Sequence, residues 1–166
     1  MKYTLKDVII VEIIEIISDF FILVLPKEII VQLKQQVNPR FENGGLVYGY
    51  KIKNVEEYRI EGFTTPSVED KKGYNFFQRL SNKHNELVKS KWELDKTTMI
   101  LGDWHTHPIG KSIPSSTDLE TYSKNSKKYR GSAKYLFYLI LSPDDVNVLC
   151  YDRIGNKIIE VHISDI

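Results

Sequence analysis

Cysteine is almost missing from this sequence: Cys150 is the only one in 166 residues. One thiol cannot close an internal disulfide, so the expected setting is reducing and cytoplasmic. It also excludes a structural zinc site built from several cysteines. An excess of one charge is lacking too. The 23 Lys and Arg residues nearly cancel 22 Asp and Glu, which argues against a dedicated nucleic-acid binder. No repeat, low-complexity tract or interdomain linker stands out. A clean membrane-length run is also absent. Residues 8–25 are strongly apolar, but Glu12, Glu15 and Asp19 interrupt them. A carboxylate at the middle of a bilayer is costly. The segment also has neither the basic start nor the small-residue cleavage site of a signal peptide. It therefore reads as core strands, with no membrane partner expected.

What is present suffices for one packed core. Hydrophobic residues make up 42% of the chain, and this length suits a single domain over 1–166. Residues 8–17 and 20–25 are rich in β-branched and aromatic side chains and read as strands split at Ser18-Asp19. Helix is the alternative for the first. Pro26 can open a helix that places Ile29, Ile30, Leu33 and Val37 on one face and ends before Pro39. Residues 45–53 and 56–63 read as strands, and 64–73 as a polar loop. Phe77, Leu80, His84, Leu87, Val88 and Trp92 recur at helical spacing, which predicts an amphipathic helix over 76–92. Strands follow at 97–104, 133–142, 146–151 and 157–163, with a helix at 115–126. Pro143-Asp144-Asp145 and Gly155-Asn156 supply turns between the last three strands. The pattern implies the α/β class, with a central mixed sheet flanked by helices.

Chemistry concentrates between Gly102 and Asp118. His105 and His107 stand two apart at the end of a predicted strand, so both imidazoles point to one side. Pro108 then ends the ladder. Ser115-Ser116-Thr117-Asp118 opens a helix. Any of the first three suits the N-cap, because Thr117 with Glu120 also makes a capping box. Asp118, on the first turn, can point back at the histidines. Two imidazoles and one carboxylate would leave a tetrahedral zinc with one open position, the mark of a catalytic rather than a structural site. Such a metal supplies activated water near neutral pH. A carboxylate outside the ligand set is then needed as general base. Glu42, just before Gly44-Gly45, is the candidate. Ser115 is the candidate donor to an oxyanion.

His105-Thr106-His107-Pro108, six residues, then Ser115, two residues and Asp118 resembles the JAMM motif of the MPN+ metallopeptidases. Glu42-Asn43-Gly44-Gly45, with Gly49 close behind, is similar to the catalytic glutamate segment of bacterial members. The resemblance covers most of 42–140. It implies Zn2+ held by His105, His107 and Asp118, with Glu42 as base and Ser115 as oxyanion donor. It also implies a JAMM/MPN fold of the cytidine deaminase-like kind. The run Gly102-Asp103-Trp104-His105-Thr106-His107-Pro108, with Pro114-Ser115 following, looks like the small standalone peptidases of CBASS anti-phage operons. That likeness implies a deconjugating isopeptidase. Its partner would be a protein with an extended C-terminal tail, either a cyclic-nucleotide synthase (CD-NTase) or a ubiquitin-like conjugate. Asp103 departs from the glutamate expected there.

Other readings remain beside this one. A processing peptidase for a sulfur-carrier protein would use the same residues. A metal-free MPN scaffold would not need the ligand set. The JAMM-like domain of DNA-repair proteins shares the histidine loop, but no helix-hairpin-helix region precedes it here. Asp103 shares the histidine face, either as an acceptor for an imidazole N–H or as a structural carboxylate. Trp104 is expected in the core, and Cys150 as a small buried hydrophobe. His84 and His162 read as ordinary structural residues. The basic cluster 124–130 reads as solvated surface, with docking of an acidic partner as the alternative.

Overall fold

The computed structural model describes residues 11–129, 131 and 133–163, with backbone only for 160–163. Residues 8–10 of the expected first strand, Arg130 and the side chain of His162 lie outside the described residues. The elements run β1 (Ile13–Ile17), β2 (Ile22–Pro26), α1 (Lys27–Lys34), β3 (Gly44–Lys51), β4 (Glu57–Phe63), β5 (Lys71–Gly73) and β6 (Phe76–Gln78). They continue with α2 (Lys83–Leu94), β7 (Met99–Thr106), α3 (Ser116–Lys128), β8 (Tyr135–Leu141), β9 (Val146–Asp152) and β10 (Lys157–Ile163). Eight strands form one sheet in the order β1-β2-β4-β3-β7-β8-β9-β10, while β5 and β6 form a separate hairpin. The β2/β4 and β7/β8 pairs are parallel and the other pairs antiparallel, so the sheet is mixed as expected.

Strand β8 reads YLFYLIL and every residue of it is buried. A central strand covered on both faces calls for such a run. Its Tyr135 and Phe137 rings lie 5.4 and 5.1 Å from Phe21, the residue just before β2. Strands β2 and β8 are four places apart in the sheet, roughly 19 Å if it were flat. Contact between their aromatic side chains therefore requires a strongly curled sheet. Inside the curl Tyr58 also meets Phe137, at 5.3 Å. From the helices, Ile29, Ile30 and Leu33 of α1 and Tyr122 of α3 join the same core. Cys150 is fully buried within it, and burial, then the neighbouring Asp152 charge, push its thiol well above the ordinary range. Among the described residues no helix is long and apolar enough to cross a membrane.

Two elements depart from their sequence patterns. Within the described residues the expected first core strand starts only at Ile13, and of β1 only Ile16 is buried while Ile13 and Ile17 are exposed. The helix predicted over 76–92 begins only at Lys83, and Phe76–Gln78 is instead a strand pairing with Lys71–Gly73 inside the predicted loop. Helical spacing of Phe77 and Leu80 was coincidental. The Asp70 carboxylate accepts hydrogen bonds from the amides of Leu80 and Ser81, both at 2.8 Å, and so holds the chain out of helix there. Within α2 only His84 and Val88 are buried, while Leu87 and Trp92 are exposed.

Candidate metal centre

His105 is held from both sides. In the ladders of β7 it lies opposite Gly44 of β3 and Ile140 of β8. The strand runs two residues beyond its predicted end, and the His107 amide extends the pairing by donating to the Leu141 carbonyl at 2.8 Å. Pro108 then releases the chain. The glycines opposite are needed for close approach. A Cβ on Gly45 would stand 2.1 Å from the Thr64 carbonyl oxygen and 2.7 Å from the Trp104 indole nitrogen, and one on Gly44 would strike Phe77. Trp104 faces the opposite side from the histidines, as expected, and its indole N–H donates to the Thr64 carbonyl.

Helix α3 brings the third group. The structure resolves the open choice of N-cap in favour of Ser115, which forms a capping box with Asp118. The Ser115 hydroxyl accepts from the Asp118 amide and donates to Asp118 Oδ2 at 2.7 Å, and the Ser115 amide donates to the same oxygen. Asp118 is thus locked before anything binds. Its Oδ1 lies 3.4 Å from His105 Nε2, and its Oδ2 lies 3.6 Å from His107 Nε2. The two Nε2 atoms are 3.2 Å apart. In a tetrahedral zinc site with bonds near 2.05 Å, neighbouring ligand atoms are separated by about 3.3 Å. The two nitrogens stand at that spacing, each has one Asp118 oxygen close to it, and one ligand atom from each of the three residues lies within 4.8 Å of the others, so the residues present fit a divalent metal ion such as zinc.

The other ring nitrogens set the tautomers. His107 Nδ1 lies 3.0 Å from the Lys111 carbonyl, which can only accept, so Nδ1 carries the proton and Nε2 is free as a donor atom. His105 Nδ1 meets the buried Tyr122 hydroxyl at 3.0 Å. Burial pushes His105 down to about 4, against the pull of Asp118, and so leaves the ring neutral at neutral pH. Burial also acts to lower His107, but Asp118, the Lys111 carbonyl and Glu42 outweigh it and raise the ring above its ordinary value. Burial would raise Asp118; its bonds to His107 and Ser115 and the charge of His105 hold it well below the carboxylate range.

Glu42 is buried at the same cleft, and its amide donates to the Gly73 carbonyl. Burial pushes its carboxyl up to about 7, with His107 opposing and Asp118 adding. The cleft encloses about 770 Å3 and brings together all five sequence-selected residues: Glu42, His105, His107, Ser115 and Asp118. One wall is α3, presenting Asp118, Tyr122 and Asn125; the other is the consecutive run Tyr74–Arg79 along β6. Asp103 is not a partner of either imidazole ring. It accepts from Arg79, Tyr129 and Asn125 instead. Tyr122 and Arg79 were not singled out from the sequence. Tyr122 carried a signal, lying one helical turn after Asp118. Arg79 carried none, because it fell inside the predicted helix. His84 is structural, buried between Thr64 and Asp70 at 2.5 and 2.8 Å. Lys124, Lys127 and Lys128 are exposed, and Lys124 pairs with Glu120.

A mixed sheet of this topology carrying a His-His-Asp cluster defines an α/β domain of the JAB/MPN type. Residues 26–151 match the prokaryotic homologs of the JAB domain, and the chain belongs to that family. It is 30% identical over 100 residues to a CD-NTase/cGAS isopeptidase of Pseudomonas aeruginosa, a match covering 60% of this chain and 62% of that protein. The matched region thus spans less than two thirds of that relative. The solution structure of protein DSY2949 from Desulfitobacterium hafniense shares the fold, with a TM-score of 0.53 and 19% identity. That likeness covers 84% of this chain and 89% of the other.

Proposed function

We propose that the chain is a zinc-dependent isopeptidase that hydrolyses the amide bond after the C-terminal tail of a conjugated protein, its substrate a CD-NTase within an anti-phage (CBASS) system. The observation that carries this reading is the 3.2–3.6 Å spacing of His105 Nε2, His107 Nε2 and the Asp118 oxygens in the cleft that also holds Glu42. The name of the Pseudomonas relative supports the substrate class. One eight-stranded sheet and one core cluster among the described residues support reading residues 1–166 as a single peptidase domain.

His105, His107 and Asp118 would hold the metal. Zinc bound there would supply a Lewis acid and a water of lowered pKa. Glu42 takes a proton from the attacking water and returns it to the leaving amine; a carboxyl poised near neutral pH suits both transfers. Ser115 positions Asp118 and, by turning its O–H into the cleft, donates to the oxyanion as it forms. The wall Tyr74–Arg79 lies along the cleft, where an extended tail can run toward the metal ligands.

The test is cleavage of a panel of C-terminal fusions: a CD-NTase, a ubiquitin-like protein and a sulfur carrier, each with and without chelator. Chelator-sensitive release from the CD-NTase fusion is expected, with Glu42→Ala keeping zinc and losing turnover by roughly 10²–10⁴-fold. Release from the sulfur carrier alone would replace the deconjugase with a processing peptidase. No bound zinc and no release would leave a scaffold.

A further inference from the structure

Asp103 lines the cleft, 7% exposed, two residues before His105. Its Oδ1 accepts from Arg79 Nη1, and from the Tyr129 hydroxyl at 2.5 Å. Its Oδ2 accepts from Asn125 Nδ2 at 3.0 Å. Arg79 Nη2 donates in turn to the Tyr129 hydroxyl at 2.8 Å. Arg79 directly follows β6, Asn125 lies in α3, and Tyr129 is the C-terminal cap of α3. One carboxylate lining the cleft therefore ties the β6 segment to both Asn125 and the C-terminal cap of α3.

The β6 wall has need of that tie. Among the described residues β6 pairs only with β5, in a two-stranded hairpin apart from the main sheet. Phe77 of β6 packs against Gly44, but among the described residues the other hydrogen bonds act on β5 or on the base of the hairpin. The Gly73 carbonyl accepts from the Glu42 amide, and Lys72 Nζ donates to Asn43 Oδ1 at 3.2 Å. Asp70 gathers the amides of Ser67, Leu80 and Ser81 at the base. Only the planar guanidinium fork can give two N–H bonds at once to Asp103 and Tyr129 in fixed geometry.

We propose that Arg79 is a positioning residue which, through Asp103 and Tyr129, sets the distance between the β6 wall and α3 and so aligns the substrate tail over the His105–His107–Asp118 cluster. This rests on the peptidase reading of the cleft. Arg79 touches neither the ligands nor the base, so its loss should weaken tail binding while leaving the metal site intact.

The experiment compares Arg79→Ala, Arg79→Lys and Tyr129→Phe with the wild type on the fusion it cleaves. Arg79→Ala is expected to raise KM about tenfold with kcat within about threefold, the signature of lost binding rather than lost chemistry. Arg79→Lys should resemble Arg79→Ala, because it keeps the charge and loses the fork. Tyr129→Phe, which deletes one oxygen and leaves the packing, should show a smaller rise in KM. Zinc content should stay unchanged in all three. A fall in kcat at constant KM, or full rescue by lysine, would overturn the proposal. Amide hydrogen exchange supplies a readout without substrate: residues 71–80 should exchange about tenfold faster in Arg79→Ala, with β7 and α1 unchanged. Unchanged exchange there, or equal acceleration across the whole chain, would refute positioning of the wall. A wild type that cleaves nothing would refute the peptidase reading and leave the exchange result to judge the wall.

Discussion

Glu42→Gln should stabilise the metal-free protein, and only above mildly acidic pH. The residue is 9% exposed, and burial is the largest cause raising its carboxyl from 4.5 to about 7. Below pH 4.5 the group is protonated in both the folded and the unfolded chain and makes no difference. Above that, the unfolded chain releases its proton first. The fold therefore loses stability as pH rises from about 4.5 to about 7, and stays lower by a constant amount beyond. Each pKa unit corresponds to about 1.4 kcal/mol, so the full shift would cost about 3 kcal/mol. The carboxylate opens on the cleft, and solvent screening reduces this to about 1–2 kcal/mol. Glutamine keeps the shape and removes the charge. In a chain of this length the gain corresponds to a melting temperature about 2–8 °C higher. Thermal unfolding of chelated wild type and variant, followed by circular dichroism at pH 4, 6 and 8, measures it. The expected curves coincide at pH 4 and separate fully by pH 8. Equal melting temperatures at pH 8, or a gain at pH 4 alone, would refute the account of a charge buried against its preference. With zinc restored the gap should narrow, since a dication nearby favours the charged carboxylate.

Three further outcomes are expected. Asp118→Ala should lose both zinc and cleavage; full zinc occupancy by metal analysis would exclude Asp118 as a ligand. Tyr122→Phe, which removes the hydroxyl against His105 Nδ1, should weaken zinc binding by roughly 10–100-fold in chelator competition, and unaltered affinity would exclude it as the partner that orients His105. Gly45→Ala should cost about 1–3 kcal/mol in urea unfolding, because the new Cβ meets a backbone carbonyl that cannot move freely; a loss under ~0.5 kcal/mol, the size of a neutral surface change, would show that the strand gives way there.

Local patterns were legible where backbone period and side-chain chemistry agreed. The alternation of His105 and His107 implied one face, and the structure puts their Nε2 atoms 3.2 Å apart. Turn residues at 143–145 and 155–156 bounded the last three strands to within two residues of their positions. The segment 70–82 was illegible for the opposite reason. Phe77 and Leu80 fit helical spacing, but the conformation there is decided by Asp70, whose carboxylate takes the amides that a helix would have used. A side chain ten residues away in sequence leaves no periodic trace.

The sequence by itself determined the candidate donors, because the chemistry of two imidazoles, a capping-turn carboxylate and a separate glutamate depends on residue type and short spacing. It also determined the α/β class, through apolar runs such as 135–141 that only a buried strand tolerates. Tertiary structure alone decided how those pieces meet. It brought Glu42 to a cluster more than sixty residues away in the chain, through the antiparallel pairing of β3 with β7. It gave Asp103 to Arg79, Asn125 and Tyr129, and the outer nitrogen of His105 to Tyr122. These are contacts between separate elements, set by the curl of the sheet and the path of α3 across it, and apart from the helical-turn spacing of Tyr122 after Asp118 no local pattern encodes them.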